Sequence, residues 1–85
     1  MHFSSRVRLR LERGNEVINL AQVAPDAIMM AEPSEMSAGE VTVIVQINGI
    51  DYPRQVILPD GISRQDRWVA IDAVDEFVSR DGVSW

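Results

Sequence analysis

The sequence contains no cysteine and no lysine, and it has only one histidine. Without cysteine the chain can form neither disulfide bonds nor thiolate metal sites. A small domain without such cross-links suits a reducing compartment, so the expected location is the cytoplasm. The single histidine, His2, stands beside a chain end, where fraying works against a fixed catalytic base.

An excess of positive charge is also missing. The chain has eight arginines and thirteen aspartates and glutamates, which gives a net charge of −5. Nucleic-acid-binding domains normally carry a basic excess, so we expect no nucleic-acid partner.

Long apolar runs are absent as well. The longest stretch with little charge, residues 41–50, has the length of a strand and not the roughly 20 residues of a membrane helix. Residues 1–14 carry no signal-peptide pattern. We therefore expect a soluble, cytoplasmic protein that begins at its own Met1 and has no membrane partner.

Recognisable catalytic motifs are missing too. The glycines are scattered at turns, and no serine stands in a G-x-S-x-G pattern. The acidic cluster Asp72, Asp75 and Glu76 has a spacing that places three carboxylates on one helical face, where they could hold Mg²⁺ or Ca²⁺. A solvated first helical turn explains the cluster more simply. We expect no enzyme, no cofactor and no metal.

The chain length of 85 residues indicates one small domain over residues 1–85. A domain of this size buries only about 60–65% of its unfolded surface. Its core is therefore thin, and a second copy or a partner would add stability.

The first strand prediction comes from RVRLRLE, residues 6–12, which alternates strictly between charged and aliphatic side chains. Gly14-Asn15 follows as a turn signal. A two-residue loop there predicts a second strand at residues 16–23. The expected cross-strand pairs are Arg13 with Glu16 as an ion pair, Leu11 with Ile18, and Leu9 with Leu20.

A second hairpin is predicted in VTVIVQINGIDYPRQVIL, residues 41–58, because Asn48-Gly49 is the strongest short hairpin signal. One face of this hairpin is apolar except for Arg54. The expected pairs are Ile47 with Ile50, Val45 with Tyr52, Val43 with Arg54, and Val41 with Val56.

The same register places Pro53 opposite Ile44, at a position that is not hydrogen-bonded within the hairpin. The proline nitrogen therefore points outward, and this strand is expected to be a sheet edge or to be bulged at Pro53. One interpretation is that Pro53 guards the edge against strand addition. The alternative is that the ladder over residues 54–58 accepts a partner strand. The guard interpretation is the commoner one.

Further strands are predicted in AIMMAE, residues 27–32, and in RWVAID, residues 67–72. Residues 73–85 form a tail that is either a short helix capped by Asp72 or extended. The sequence therefore predicts an all-β fold, a small antiparallel sandwich or barrel of five to six short strands, with a sheet core over about residues 6–72 and a short C-terminal helix as one option for the tail.

Three arginines, Arg6, Arg8 and Arg10, share one face of the first strand. Alternate strand positions are about 6.8 Å apart, so the row extends over roughly 14 Å. Such a row can bind an acidic or phosphorylated partner. The plainer interpretation is a solvated face that discourages aggregation.

Methionine and tryptophan supply the other candidate contact residues. Met29 and Met30 point to opposite faces of a strand, so at least one is a candidate for an interface. Trp68 is expected in the core, with a binding role as the alternative. Trp85 either docks back onto the domain or anchors a partner.

These features favour a small, non-catalytic β interaction module that binds itself, as a homodimer, or joins a larger assembly as a subunit. One alternative is a β domain that binds an acidic small molecule or a sugar through the arginine row or a tryptophan. A metal-dependent enzyme that uses the acidic cluster is the remote third hypothesis.

Overall fold

The computed structural model describes residues 6–74, which form an all-β fold without a helix in that range. Seven strands make one antiparallel sheet in the order β6-β3-β2-β1-β4-β5-β7. The strands are β1 (Val7–Arg13), β2 (Glu16–Val23), β3 (Ala27–Met30), β4 (Gly39–Ile47), β5 (Ile50–Leu58), β6 (Trp68–Ala70) and β7 (Asp72–Ala73). The predicted fold class is confirmed, with more strands than the five to six expected.

Both predicted hairpins are present. In the first turn Gly14 has φ +57°, as a type II′ turn requires at its first central position. In the second turn Asn48 (φ +51°) and Gly49 (φ +87°) both have positive φ, as in a type I′ turn. The β4–β5 register agrees with all four predicted pairs and sets Pro53 opposite Ile44.

The first hairpin departs from the prediction at both of its ends. Pairing of β1 with β2 stops at Arg10 and Asn19, and the register of β2 with β3 shifts just beyond this point, between Leu20 and Gln22. The predicted pair of Leu9 with Leu20 is therefore wrong.

At the turn end of this hairpin, the predicted ion pair of Arg13 with Glu16 is also not formed. Arg13 Nη1 donates instead to Ser37 Oγ at 2.9 Å, and Arg13 Nε donates to the carbonyl of Glu40 at 3.3 Å.

The two edge strands of the sheet, β6 and β7, are neighbours in the chain. β6 pairs with β3 on one side, and β7 pairs with β5 on the other. Between them, the Ile71 N–H donates to the carbonyl of Asp26 at 3.0 Å. The sheet therefore curls until one short segment joins its two ends, and the result is a nearly closed barrel.

The core fills this barrel with side chains from every strand except β7, together with residues from the loops. Met36 and Ile62, which lie in two different loops, exchange two backbone hydrogen bonds of 3.0 and 2.7 Å and close one side of it. The buried cluster consists of Leu11, Leu20, Ile28, Met30, Met36, Val41, Val43, Val56, Leu58, Ile62, Val69 and Ile71.

The structure contradicts two predictions for the last part of the chain. Trp68 is 51% exposed and lies on the outer face, because its neighbours Val69 and Ile71 take the inward positions. Asp72 lies in β7 opposite Ile57 and does not cap a helix beginning at residue 73. The remainder of the predicted helix lies outside the described residues.

Candidate functional site

Three strands extend beyond the barrel and form what we call the arm, residues 7–9, 45–47 and 50–52. β1 pairs with β4 along Val7–Glu12, whereas β2 follows β1 only from Arg10 onwards. On the other side, β7 pairs with β5 only at Val56 and Ile57. Among the described residues, the arm therefore has neighbouring strands only within itself.

One face of the arm is apolar and continues the inner face of the barrel. Side chains alternate along each strand, so the cross-strand pairs place six residues on this side. We call them the arm face: Val7, Leu9, Val45, Ile47, Ile50 and Tyr52.

The arm face is largely uncovered. The exposed fractions are 53% for Val7, 37% for Ile47, 58% for Ile50 and 52% for Tyr52. Leu9 packs against the buried cluster and links the arm face to the core. Within residues 6–74, Leu9 and Val45 are half-buried, whereas the other four side chains of the arm face are exposed to water.

Arg54 marks the boundary between the arm face and the core. It stands one row beyond Tyr52 on the same face, opposite Val43. Arg54 Nη2 donates to the carbonyl of Pro25 at 3.4 Å, in the connection between β2 and β3. The arginine side chain thus reaches across the mouth of the barrel, with buried Val56 on one side and exposed Tyr52 on the other.

The opposite face of the arm is polar and is held by a network that crosses three strands. Arg10 Nε lies 2.7 Å from Glu12 Oε2, and Arg10 Nη2 lies 3.2 Å from Asp51 Oδ2. Gln46 Nε2 donates to Asp51 Oδ1 at 2.8 Å. Ile44, which is opposite Arg10, is buried on this side.

The network changes the acid–base properties of two of its members. The hydrogen bond from Gln46 is the largest cause of the lowered pKa of Asp51. Desolvation opposes this shift, and the Arg10 guanidinium lowers the pKa further. The hydrogen bond to Glu12 is the main reason why the pKa of Arg10 is raised. Asp51 is exposed and Arg10 is half-buried, and the ion pair between them lies at the protein surface.

The predicted arginine row is therefore not a uniform binding surface. Arg10 is engaged with its acidic neighbours, whereas Arg8 is exposed on the outer face. Arg6 is held through its backbone, since its N–H donates to Asn48 Oδ1 at 3.1 Å and its carbonyl accepts from the Asn48 N–H at 2.9 Å. Arg8 and Arg10 lie on the outer face of β1, since Leu9 and Leu11 take the inward positions.

Arg8 also borders a shallow open groove, which lies where β1 and β2 are no longer paired. The other residues that line this groove include Asn19 and Ala21, and Arg8 is the sole charged one among them. A single cation in an open groove gives little support to the alternative of an acidic small-molecule ligand.

The methionines and the tryptophan of the described chain divide between the two faces. Met30 is buried in the core, whereas Met29 is half-buried on the outer face opposite the exposed Trp68. Met29 and Trp68 are thus cross-strand neighbours on the outer surface. Trp85 lies outside the described residues.

Only one member of the acidic cluster lies within the described residues. Asp72 is exposed in β7, and the other two members of the cluster, Asp75 and Glu76, lie outside the described residues. Between residues 6 and 74, three or more histidine, cysteine, aspartate or glutamate side chains do not come together as a potential metal site. In that same range, the chain forms no helix with the length and hydropathy needed to cross a membrane.

Sequence reasoning missed the arm face, although its signal was present. The predicted β4–β5 register carried apolar residues all the way to the turn, at Ile47 and Ile50. It did not reveal that the neighbouring strands stop earlier, because that depends on where β2 ceases to pair with β1 and on the shortness of β7.

Comparison with known proteins adds no further assignment, since the chain matches no protein-family model, no curated protein and no solved structure.

Proposed function

We propose that this protein is a non-catalytic interaction module that associates with a second copy of itself by packing arm face against arm face. The arm face carries this proposal, because apolar side chains that continue the core are left open to water. Burying apolar surface contributes about 25 cal/mol for each Å² removed from water, so this face favours a covering partner.

The chemistry of the arm face suits an identical partner. Its six side chains carry no charge, and the charged Arg54 stands at its border. Two such faces related by a two-fold axis would bring apolar groups together without opposing like charges. Two sheets packed in this way lie about 10 Å apart, with their side chains interdigitated.

The size of the arm face indicates a reversible complex. Large apolar patches on monomeric proteins measure about 300–600 Å², whereas stable complexes bury about 800 Å² on each partner. The six side chains of the arm face form a patch of the size found on monomeric proteins. We therefore expect a weak dimer, or a subunit whose assembly adds further contacts.

Sedimentation velocity over a range of concentrations tests this proposal with one matched pair of variants. Ile50→Glu places a charge in the arm face and is expected to abolish dimer formation. Val17→Glu is the control, because Val17 is also 58% exposed but lies on β2, outside the arm. Both substitutions are at exposed positions, so both variants are expected to fold.

The result expected for the wild-type chain is a sedimentation coefficient that rises with concentration. The control variant should behave in the same way, and the Ile50→Glu variant should stay monomeric. A wild-type chain that remains monomeric at its highest soluble concentration would contradict self-association, as would equal behaviour of the two variants.

A further inference from the structure

A cleft with a volume of about 230 Å³, which we call the loop cleft, lies between the two longest loops of the described chain. The first loop connects β3 to β4 and contributes residues 31–33, and the second connects β5 to β6 and contributes residues 64–67. Met30, the last residue of β3, completes the lining. Its N–H donates to the carbonyl of Arg67 at 2.8 Å, so a backbone hydrogen bond joins the two sides of the loop cleft.

A closed turn fixes the second side of the loop cleft. The Asp66 N–H donates to the Ser63 carbonyl at 2.9 Å, and the Ser63 N–H donates to Asp66 Oδ2 at 2.9 Å. These two bonds hold the backbone of Arg64 and Gln65 between them and engage the half-buried carboxylate of Asp66. Because this side is ordered before a ligand binds, binding costs less conformational entropy.

Two arginines of the loop cleft have no acidic partner within residues 6–74. Arg64 and Arg67 both line the cleft and are exposed, whereas the ion pairs of the described residues all involve Arg10. A guanidinium stays charged in proteins and binds a carboxylate through two parallel N–H···O bonds. The loop cleft therefore offers two cationic groups to an anion.

The other lining residues restrict the kind of anion. Met30, Ala31 and Pro33 are apolar and line the same cleft, so a ligand with an apolar part suits it. Glu32 is exposed on the first side, and its charge opposes a ligand with two negative charges. Pockets for drug-sized ligands measure about 300–1,000 Å³, so the smaller loop cleft suits a small molecule.

We propose that the loop cleft binds a small organic monocarboxylate with an apolar body. Arg64 and Arg67 hold the carboxylate, and the apolar body lies against Met30 and Pro33. The loop cleft shares no residue with the arm face. This binding site therefore goes beyond the proposed self-association and does not depend on it.

An NMR titration of the isotope-labelled chain with benzoate tests the site. Benzamide is the matched control ligand, because it has nearly the same shape and no charge. Benzoate should cause saturable shifts of the backbone amides in residues 30–32 and 63–67. Benzamide should bind at least roughly tenfold more weakly, since it lacks the charge-assisted hydrogen bonds. Inorganic phosphate should also bind more weakly than benzoate.

Variants of the full chain test which side chains are responsible. Arg64→Gln with Arg67→Gln removes two charges at exposed positions, so this chain is expected to fold, and its dissociation constant for benzoate should rise at least roughly tenfold. Arg8→Gln is the control, because Arg8 is also exposed but lies on β1, outside the loop cleft. It should leave the constant unchanged. Glu32→Gln removes the opposing charge and should tighten the binding of inorganic phosphate more than that of benzoate.

Several results would overturn the proposal. Benzoate shifts that do not saturate, or benzamide that binds as tightly as benzoate, would show that the loop cleft is not a carboxylate site. Equal binding by the wild-type chain and the double arginine variant would show the same. Inorganic phosphate that binds as tightly as benzoate would contradict a preference for monocarboxylates.

Discussion

At the scale of single residues, Gly61 occupies a position that a residue with a Cβ atom does not fit. Its φ is +71°, and a Cβ placed on it would lie 2.6 Å from the Met36 carbonyl oxygen and 2.9 Å from the Ala38 nitrogen. Met36 and Ile62 pair directly beside it. The glycine therefore serves two purposes, a left-handed backbone and the close approach of two loops.

Gly14 provides the comparison that separates these two effects. It has φ +57° and no heavy atom within 4 Å of an added Cβ. Gly14→Ala is expected to cost about 1–2 kcal/mol from the left-handed conformation alone. Gly61→Ala should cost clearly more, because backbone atoms must also move. Urea denaturation of both variants measures the difference. Equal losses in the free energy of unfolding would show that the two loops can move apart at little cost.

The inward or outward direction of a side chain was predictable where a turn showed which strand positions face the core. Asn48-Gly49 anchors its hairpin, so the position of Pro53 and its outward nitrogen followed from the sequence. Trp68 had no such anchor. RWVAID permits two phases, and burial of Val69 and Ile71 leaves the larger tryptophan outside.

At the scale of strands, the outer network joins β1, β4 and β5 through the carboxylate of Asp51. Its pKa lies below the ordinary value of 3.8, and the hydrogen bond from Gln46 is the largest cause. Because the pKa is lowered by folding, Asp51 stabilises the fold at pH values above about 3.8. That contribution is lost as the pH falls through the lowered pKa.

Gln46→Ala should therefore raise the pKa of Asp51 towards its ordinary value and reduce the loss of stability between about pH 5 and about pH 2. Carboxyl NMR titration measures the first effect, and denaturant unfolding at several pH values measures the second. Gln55→Ala is the control, since Gln55 lies on the outer face of the same hairpin and is not opposite Asp51. If both variants titrate alike, Gln46 is not the cause.

The sequence predicted five to six strands, whereas the described residues form seven. The two long hairpins were predicted, because turn signals and alternation agree there. The break between β6 and β7 at Ile71 was not, since it arises when one segment must pair with β3 and then with β5. The irregularity in β2 between Leu20 and Gln22, next to the point where its pairing with β1 ends, was likewise not predicted.

At the scale of the whole molecule, stability rests on a single thin core. A chain of this length is expected to have a free energy of unfolding of roughly 4–13 kcal/mol. Leu11 is completely buried at the centre of β1, next to both β2 and β4. One substitution there removes a large part of the total.

Leu11→Ala should lower the free energy of unfolding by about 2–5 kcal/mol. Val17→Ala, at an exposed position on the neighbouring strand, should change it by less than about 0.5 kcal/mol. Urea unfolding at one fixed, low protein concentration measures both without a contribution from association. Similar values for the two variants would show that Leu11 is less central than its burial indicates.

The way in which the barrel is joined also implies an order of events in folding. The two hairpins form from residues close in sequence, and β1 with β4 then unites them. The segment over residues 68–73 must find β3 and β5 at once, so it has no complete docking place until those edges exist. We therefore expect it to join last and to detach first. Brief openings would then occur along this one segment, while the five strands from β3 to β5 remain assembled.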